Sequence, residues 1–307
     1  MQIRCTDFSH ANRRLSKCTN CLVARAVAAG SYSGVFVVFC WSLLLLSGHC
    51  TFFDTCSRDA DKDGQTLKLN KVANGYGQRS LAYKMLGGCR DKGVVYIPGF
   101  MGSMSEEKAT FLNNFCNLHD VSFLRYDPSW LGESKKTSSL KQIKKIFSVW
   151  MDDAFEMFKL TTGPQIVVGH SIGGWIAIHL ALKHPDRVAG LLLLGPVYNL
   201  HENCLNFTEG KKLMNKAVLL LGKARVEDIM KDAQQYQISV APSSLTINCK
   251  VSILHGKDDV FPFHFSQTLL NALTSKDKTL NILASGDHHL QDEHTLNEIG
   301  ATLLHMI

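Results

Sequence analysis

The stretch Ile166-Val167-Val168-Gly169-His170-Ser171-Ile172-Gly173-Gly174-Trp175 constrains the fold more than any other part of this 307-residue chain. Three β-branched residues run into a glycine, a small hydroxyl follows two residues on, and an apolar segment continues to Lys183. Ile166–Val168 read as a short, fully buried strand, and Ile172–Lys183 as an apolar helix. A strand that passes directly into a helix needs a sharp turn with a strained residue at its tip, and close neighbours of that residue must lack side chains. Gly169 and Gly173 meet that need in the spacing G-x-S-x-G. Such a turn projects the Ser171 oxygen from the end of a buried sheet.

The segments on either side repeat the alternation. Strands are predicted at Leu81–Tyr83, Gly93–Ile97, Val121–Tyr126, Leu191–Leu194, Val251–Leu254 and Leu280–Leu283. Helices are predicted at Glu106–Asn117, Ser138–Leu160 and Thr295–Met306. The longest carries Leu140, Ile143, Phe147, Trp150, Met151, Ala154 and Met157 at helical spacing. Strands alternating with helices specify an α/β protein whose mostly parallel sheet is covered by helices on both faces. Ligands of such sheets sit beyond the carboxyl ends of the strands. Gly99, Ser171, Pro196, Asp258, Asp259 and His288 all fall just after a predicted strand.

A serine hydroxyl is a poor nucleophile near neutral pH. It needs a base to take its proton and an acid to orient that base. Downstream of Ser171, Leu254-His255-Gly256-Lys257-Asp258-Asp259-Val260-Phe261-Pro262 brings two carboxylates just past a strand, and Ser285-Gly286-Asp287-His288-His289 follows the last strand. His288 is selected as the base by its loop, its place in the order and the glycine two residues before it; His289 is the alternative. Counting back from Pro262 selects Asp258 as the acid, and counting from His255-Gly256 selects Asp259. Asp258 is preferred, with Asp259 as the alternative. Two backbone N–H groups should hold the developing oxyanion. Ile172 supplies one, and Phe100, in Pro98-Gly99-Phe100-Met101-Gly102, supplies the other.

The N-terminal region differs from the rest. Through Phe53 the chain has five basic residues and one acid, whereas the remainder carries 28 basic and 26 acidic residues. The near-neutral body excludes a nucleic-acid footprint, which needs a clustered basic face. Six of the ten cysteines lie at or before Cys56; Cys89, Cys116, Cys204 and Cys249 are too widely spaced to suggest a disulfide framework. Cys18-Thr19-Asn20-Cys21 lacks the second pair that a zinc site needs. Behind the basic leader, residues 26–53 carry no charge except His49, with an apolar run from Val35 to Leu46 broken only by Ser42. A transit peptide, a late secretory signal and a membrane anchor all remain open, the last implying membrane association through residues 26–53. Residues 1–60 are thus expected to be a targeting or anchor segment with its linker, and residues 61–307 the α/β domain. More than fifty residues separate the strands at Leu194 and Val251, which exceeds an ordinary connection. A small helical cap at about 200–248 is expected there. Asn206-Phe207-Thr208 is a glycosylation pattern that matters only in a secreted chain.

With these residues assembled, the body resembles the α/β-hydrolase superfamily. From about residue 79 onward it is similar to the mitochondrial members that remove palmitoyl groups from proteins and also cleave acyl glucuronides. The carrying pieces are Ser80–Lys84, Tyr96-Ile97-Pro98-Gly99-Phe100, Gly163–Gly169, Ile172-Gly173-Gly174-Trp175, Asn248-Cys249 and Leu254-His255-Gly256 with Lys257-Asp258-Asp259. The resemblance implies Ser171 as nucleophile, Asp258 as orienting acid, His288 as base, no metal and no organic cofactor. It implies hydrolysis of acyl thioesters or esters, with an acylated protein or a small acyl ester as substrate, in mitochondria. Membrane anchoring or the secretory pathway is the alternative location. One residue is missing before Lys257, and His170 stands where those members have Ser. A general carboxylesterase and a non-catalytic binder on the same fold are the competing readings.

Overall fold

Eight strands form one sheet in the order β1-β2-β4-β3-β5-β6-β7-β8. They are β1 (Gln65–Leu69), β2 (Arg79–Leu86), β3 (Gly93–Ile97), β4 (Phe123–Tyr126), β5 (Gln165–His170), β6 (Val188–Leu194), β7 (Lys250–Gly256) and β8 (Lys278–Leu283). β2 runs antiparallel to both β1 and β4, and every later pairing is parallel. The computed structural model describes residues 65–69, 79–137, 145–200 and 222–307, with positions 211, 212, 215, 218 and 219 between the last two segments. All described elements belong to one compact unit, Cys56–Ile307. The leader, Cys18–Cys21, residues 26–53 and Asn206–Thr208 lie outside the described residues.

The central strands β3, β4 and β5 are buried at every position because both faces are covered. Val95, Ile97, Val167, Leu191 and Leu193 point into one core, and Val94, Tyr96, Ile166, Val168, Leu192 and Leu194 into the other. That is the period-two alternation of a pleated strand. Helices α1 (Glu107–Leu118) and α6 (Glu293–Leu304) cover the second core through Ala109, Leu112, Cys116, Ile299 and Leu303. Helices α2 (Ile146–Lys159), α3 (Ile172–Lys183), α4 (Lys223–Ala233) and α5 (His264–Ala272) pack on the first. Each fully buried aliphatic side chain contributes about 1.5–3 kcal/mol. In α3 every residue from Ile172 to Ile178 is buried; an apolar stripe is therefore absent and the helix is a core element on all sides.

Polar pins connect these layers. Arg79 on β2 donates to Asp152 and Asp153 of α2, and Asp153 also accepts the Ser129 N–H at 2.7 Å. Burial pushes the Asp153 carboxyl up to about 6, against the opposing Arg79 charge. The segment inserted between β6 and β7 is fixed at its roots. The Asn199 side chain brackets Ile238, donating to its carbonyl and accepting its N–H at 2.9 Å each. Asp232, just inside the end of α4, accepts the Ser148 N–H at 2.7 Å in the first turn of α2, where unsatisfied helical donors need a partner.

The structure departs from the expected elements in three places. It has an additional edge strand, β1, and β2 extends to both sides of Leu81–Tyr83. The helix expected from Ser138 starts at Ile146, because Lys145 takes a non-helical backbone (φ −120°, ψ 57°); residues 138–144 lie outside the described residues. Cys89 is disulfide-bonded, while Cys116 and Cys249 carry free thiols.

Candidate active site

The turn between β5 and α3 has the strain that the glycine spacing predicts. Ser171 sits at φ 54°, ψ −123°, a backbone that side-chain-bearing residues rarely adopt. Its N–H donates to the Leu194 carbonyl and its own carbonyl accepts from Val197, so β6 braces the turn. A Cβ at Gly169 would stand 2.5 Å from the Gly173 carbonyl oxygen, and one at Gly173 would stand 2.3 Å from that of Ile97. Neither position has room for a side chain, and α3 can begin close against the end of β3 for that reason.

The loops after β7 and β8 bring two further side chains to this turn. His288 Nε2 lies 3.0 Å from Ser171 Oγ, and His288 Nδ1 lies 2.9 Å from both carboxylate oxygens of Asp259. A carboxylate only accepts, so Nδ1 carries the hydrogen and Nε2 presents its lone pair to the serine hydroxyl. The Asp259 side chain is fully buried and the His288 side chain nearly so. Asp259 Oδ1 also accepts the Phe261 N–H at 2.8 Å. Gly195, after β6, lines the pair: a Cβ there would stand 3.0 Å from Asp259 Oδ2.

The acid preferred on sequence is not the one behind the ring. Asp258 is exposed, and its N–H donates to the Gly286 carbonyl. The Asp259 N–H bonds back to the Gly256 carbonyl, and that tight turn aims Asp259 inward and Asp258 outward. Asp259, the alternative, occupies the position; the loop is one residue shorter than the count from Pro262 assumes. His289 does not compete with His288: its N–H donates to Asp287, and its carbonyl accepts from Lys108.

Phe100 and Ile172 both present free donors. The Gly102 N–H closes a turn onto the Gly99 carbonyl with Met101 at φ 59°, which leaves the Phe100 N–H outside the turn's own bond. Ile172 is the first residue of α3, where an N–H has no intrahelical partner. Among the described residues neither N–H meets a backbone acceptor. The Phe100 ring packs edge-on against Trp150, with centroids 6.0 Å apart.

A further contributor, His255, was not singled out by the sequence pattern. His255, fully buried at the end of β7, bonds the Phe261 carbonyl through Nε2 and Ser266 Oγ through Nδ1, each at 2.8 Å. Burial holds its pKa down against the pull of Asp259. It thereby braces the loop that carries Asp259. Its signal in the sequence is the His255-Gly256 pair that closes β7. Among the described residues no group of three His, Cys, Asp or Glu side chains could hold a metal ion. No helix among them is long and apolar enough to cross a membrane.

Known proteins resemble this chain in both sequence and shape. A family model described as serine aminopeptidase, S33, matches residues 90–231. The protein named palmitoyl-protein thioesterase ABHD10, mitochondrial, of Pongo abelii is 29% identical over 227 residues, which are 70% of this chain and 72% of that protein. The solved structure of mouse alpha/beta hydrolase domain-containing protein 10 shares the fold at a TM-score of 0.64 and 23% identity, covering 78% of this chain and 97% of that one. A putative hydrolase from Agrobacterium vitis S4 does so at 0.66 and 20%, covering 80% and 98%.

Proposed function

As the chain belongs to the α/β-hydrolase superfamily and is a serine hydrolase of that fold, we propose that it cleaves long-chain acyl thioesters and esters through Ser171, His288 and Asp259. The observation that carries this reading is the continuous chain of hydrogen bonds from Ser171 Oγ through both ring nitrogens of His288 to Asp259. Ser171 Oγ attacks the acyl carbon while its proton passes to His288 Nε2. The Asp259 carboxylate stabilises the imidazolium. The N–H groups of Phe100 and Ile172 receive the oxyanion, each worth about 2.7–4 kcal/mol of barrier. The thiol or alcohol leaves with the proton held on His288. A water then gives its proton to His288, attacks the acyl-serine carbonyl and frees the acid, restoring Ser171.

Palmitoylated protein is the substrate we favour, with acyl glucuronides as a second class. The names of the relatives support the first, and their mitochondrial designation together with the basic leader supports a mitochondrial location. A palmitoyl-thioester assay on wild type and Ser171→Ala tests the reading. Wild type should turn over the thioester, preferring long to short acyl chains, and Ser171→Ala should lose about 10⁶-fold in kcat. Equal turnover by the two proteins would end it.

A further inference from the structure

Two buried polar side chains grip the loop that carries His288, and neither touches the reacting atoms. His170 Nε2 lies 2.8 Å from the His288 carbonyl oxygen. A carbonyl only accepts, so Nε2 carries the hydrogen and Nδ1 carries the lone pair. That Nδ1 is buried and has no hydrogen-bond partner among the described residues. Lys108 of α1, 2% exposed, donates its ammonium to the next carbonyl, that of His289, at 2.7 Å. Two consecutive carbonyls are therefore held from inside the protein.

An apolar residue at 170 would avoid the cost of leaving a buried acceptor unmet. The ring is retained despite it, and the surroundings are shaped around it: a Cβ at Gly99 would stand 2.7 Å from His170 Nδ1. Burial, reinforced by the Lys108 charge and by His288, holds the imidazole well below its ordinary range. It stays neutral, with its hydrogen on the nitrogen that faces the loop. His170 also immediately precedes Ser171 in the chain, and its ring centre is 5.4 Å from that of His288. The bond thus spans the gap between the strand end that carries the hydroxyl and the backbone that carries its partner.

We propose that His170 is a positioning residue for the base: its Nε2–H, with Lys108 as a second hand, sets the His288 peptide at the separation from Ser171 at which the His288 ring meets the hydroxyl. This rests on Ser171 and His288 acting as nucleophile and base. A loop displaced by about 1 Å can cost on the order of 100-fold in rate. The loss should appear in kcat and leave KM unchanged.

Full-length wild type, His170→Gln and His170→Asn separate reach from mere polarity. The Gln amide nitrogen can occupy the place of Nε2, whereas the shorter Asn amide stops near Nδ1. Fluorophosphonate labelling rates and palmitoyl-thioester kinetics are measured beside thermal unfolding. His170→Gln should label within about threefold of wild type, and His170→Asn at least about tenfold more slowly with kcat lowered and KM unchanged. If both variants fold and label equally fast, the inference is overturned. Should His170→Asn not fold, Lys108→Met, which removes the donor to the His289 carbonyl, should label about tenfold more slowly; labelling at the wild-type rate overturns the inference. A wild-type protein that takes up no label overturns the nucleophile–base reading, and this inference with it.

Discussion

A neutral imidazole can take a serine proton only through the nitrogen that its other hydrogen bond leaves bare. Asp259 makes that choice for His288 by accepting at Nδ1 from a fully buried carboxylate. Replacing Asp259 by Asn keeps the shape but offers an amide hydrogen to the ring and favours the wrong tautomer. Asp259→Asn should therefore lower kcat by about 10³–10⁴, and Asp258→Asn, an exposed change, by no more than about twofold. Steady-state hydrolysis of one acyl ester by both variants checks this, and a greater loss at Asp258 would reverse the assignment. The meeting of Ser171 with His288 could be read from the sequence because glycines and strand ends mark their surroundings. Which carboxylate stands behind the ring could not, since two adjacent carboxylates share one local pattern. The choice between them is made by the bond from the Asp259 N–H to the Gly256 carbonyl, which no spacing rule encodes. The contacts of His170 and His255 escaped for a related reason: each ring meets a loop carbonyl, that of His288 far along the chain and that of Phe261 six residues on, which no spacing rule marks.

At the scale of elements, the entry of α3 against the end of β3 is the tightest contact near the site. A Cβ on Gly173 would meet the carbonyl oxygens of Ile97 and Pro98 at 2.3 and 2.5 Å. These are backbone atoms, so the helix as a whole must retreat, taking the Ile172 N–H with it. Gly173→Ala should cost about 3 kcal/mol or more, read as a lower denaturant midpoint beside wild type. Lys183→Ala, at the exposed end of the same helix, should leave the midpoint within about 0.5 kcal/mol of wild type; equal midpoints for all three proteins would contradict the packing argument. The buried parallel strands were legible because they are short apolar runs closed by Gly or Pro. β1 was missed because Gln65-Thr66-Leu67-Lys68-Leu69 carries polar residues at an edge. The start of α2 was placed too early because Leu140 and Ile143 continue the helical spacing, with no capping residue or proline before Ile146 to mark the true boundary.

For the molecule as a whole, acid should be a strong destabiliser. His170, His179 and His255 are each pulled below their ordinary value of 6.5, mainly by burial. Between the depressed folded value and 6.5 the unfolded chain binds more protons, so stability rises with pH in that window and is lost as pH falls through it. Each of the three contributes up to about 1.4 kcal/mol of loss between pH 7.5 and 5.5. Asp153 acts in the opposite direction, since its raised value of about 6 favours folding as pH falls, but it is one group against three. Urea unfolding should therefore give a free energy lower by up to about 4 kcal/mol at pH 5.5 than at 7.5; a flat or inverted dependence would contradict it. The fold class was legible at this scale because alternating strands and helices admit few arrangements. The segment between β6 and β7 was legible only as an over-long connection. The central claim is that Ser171 is made nucleophilic by His288. Peptide mapping of protein treated with a fluorophosphonate probe tests it most directly: the adduct should fall on Ser171 in wild type and be lost in a folded His288→Ala protein. An adduct on another residue, or undiminished labelling of Ser171 without His288, would contradict the account.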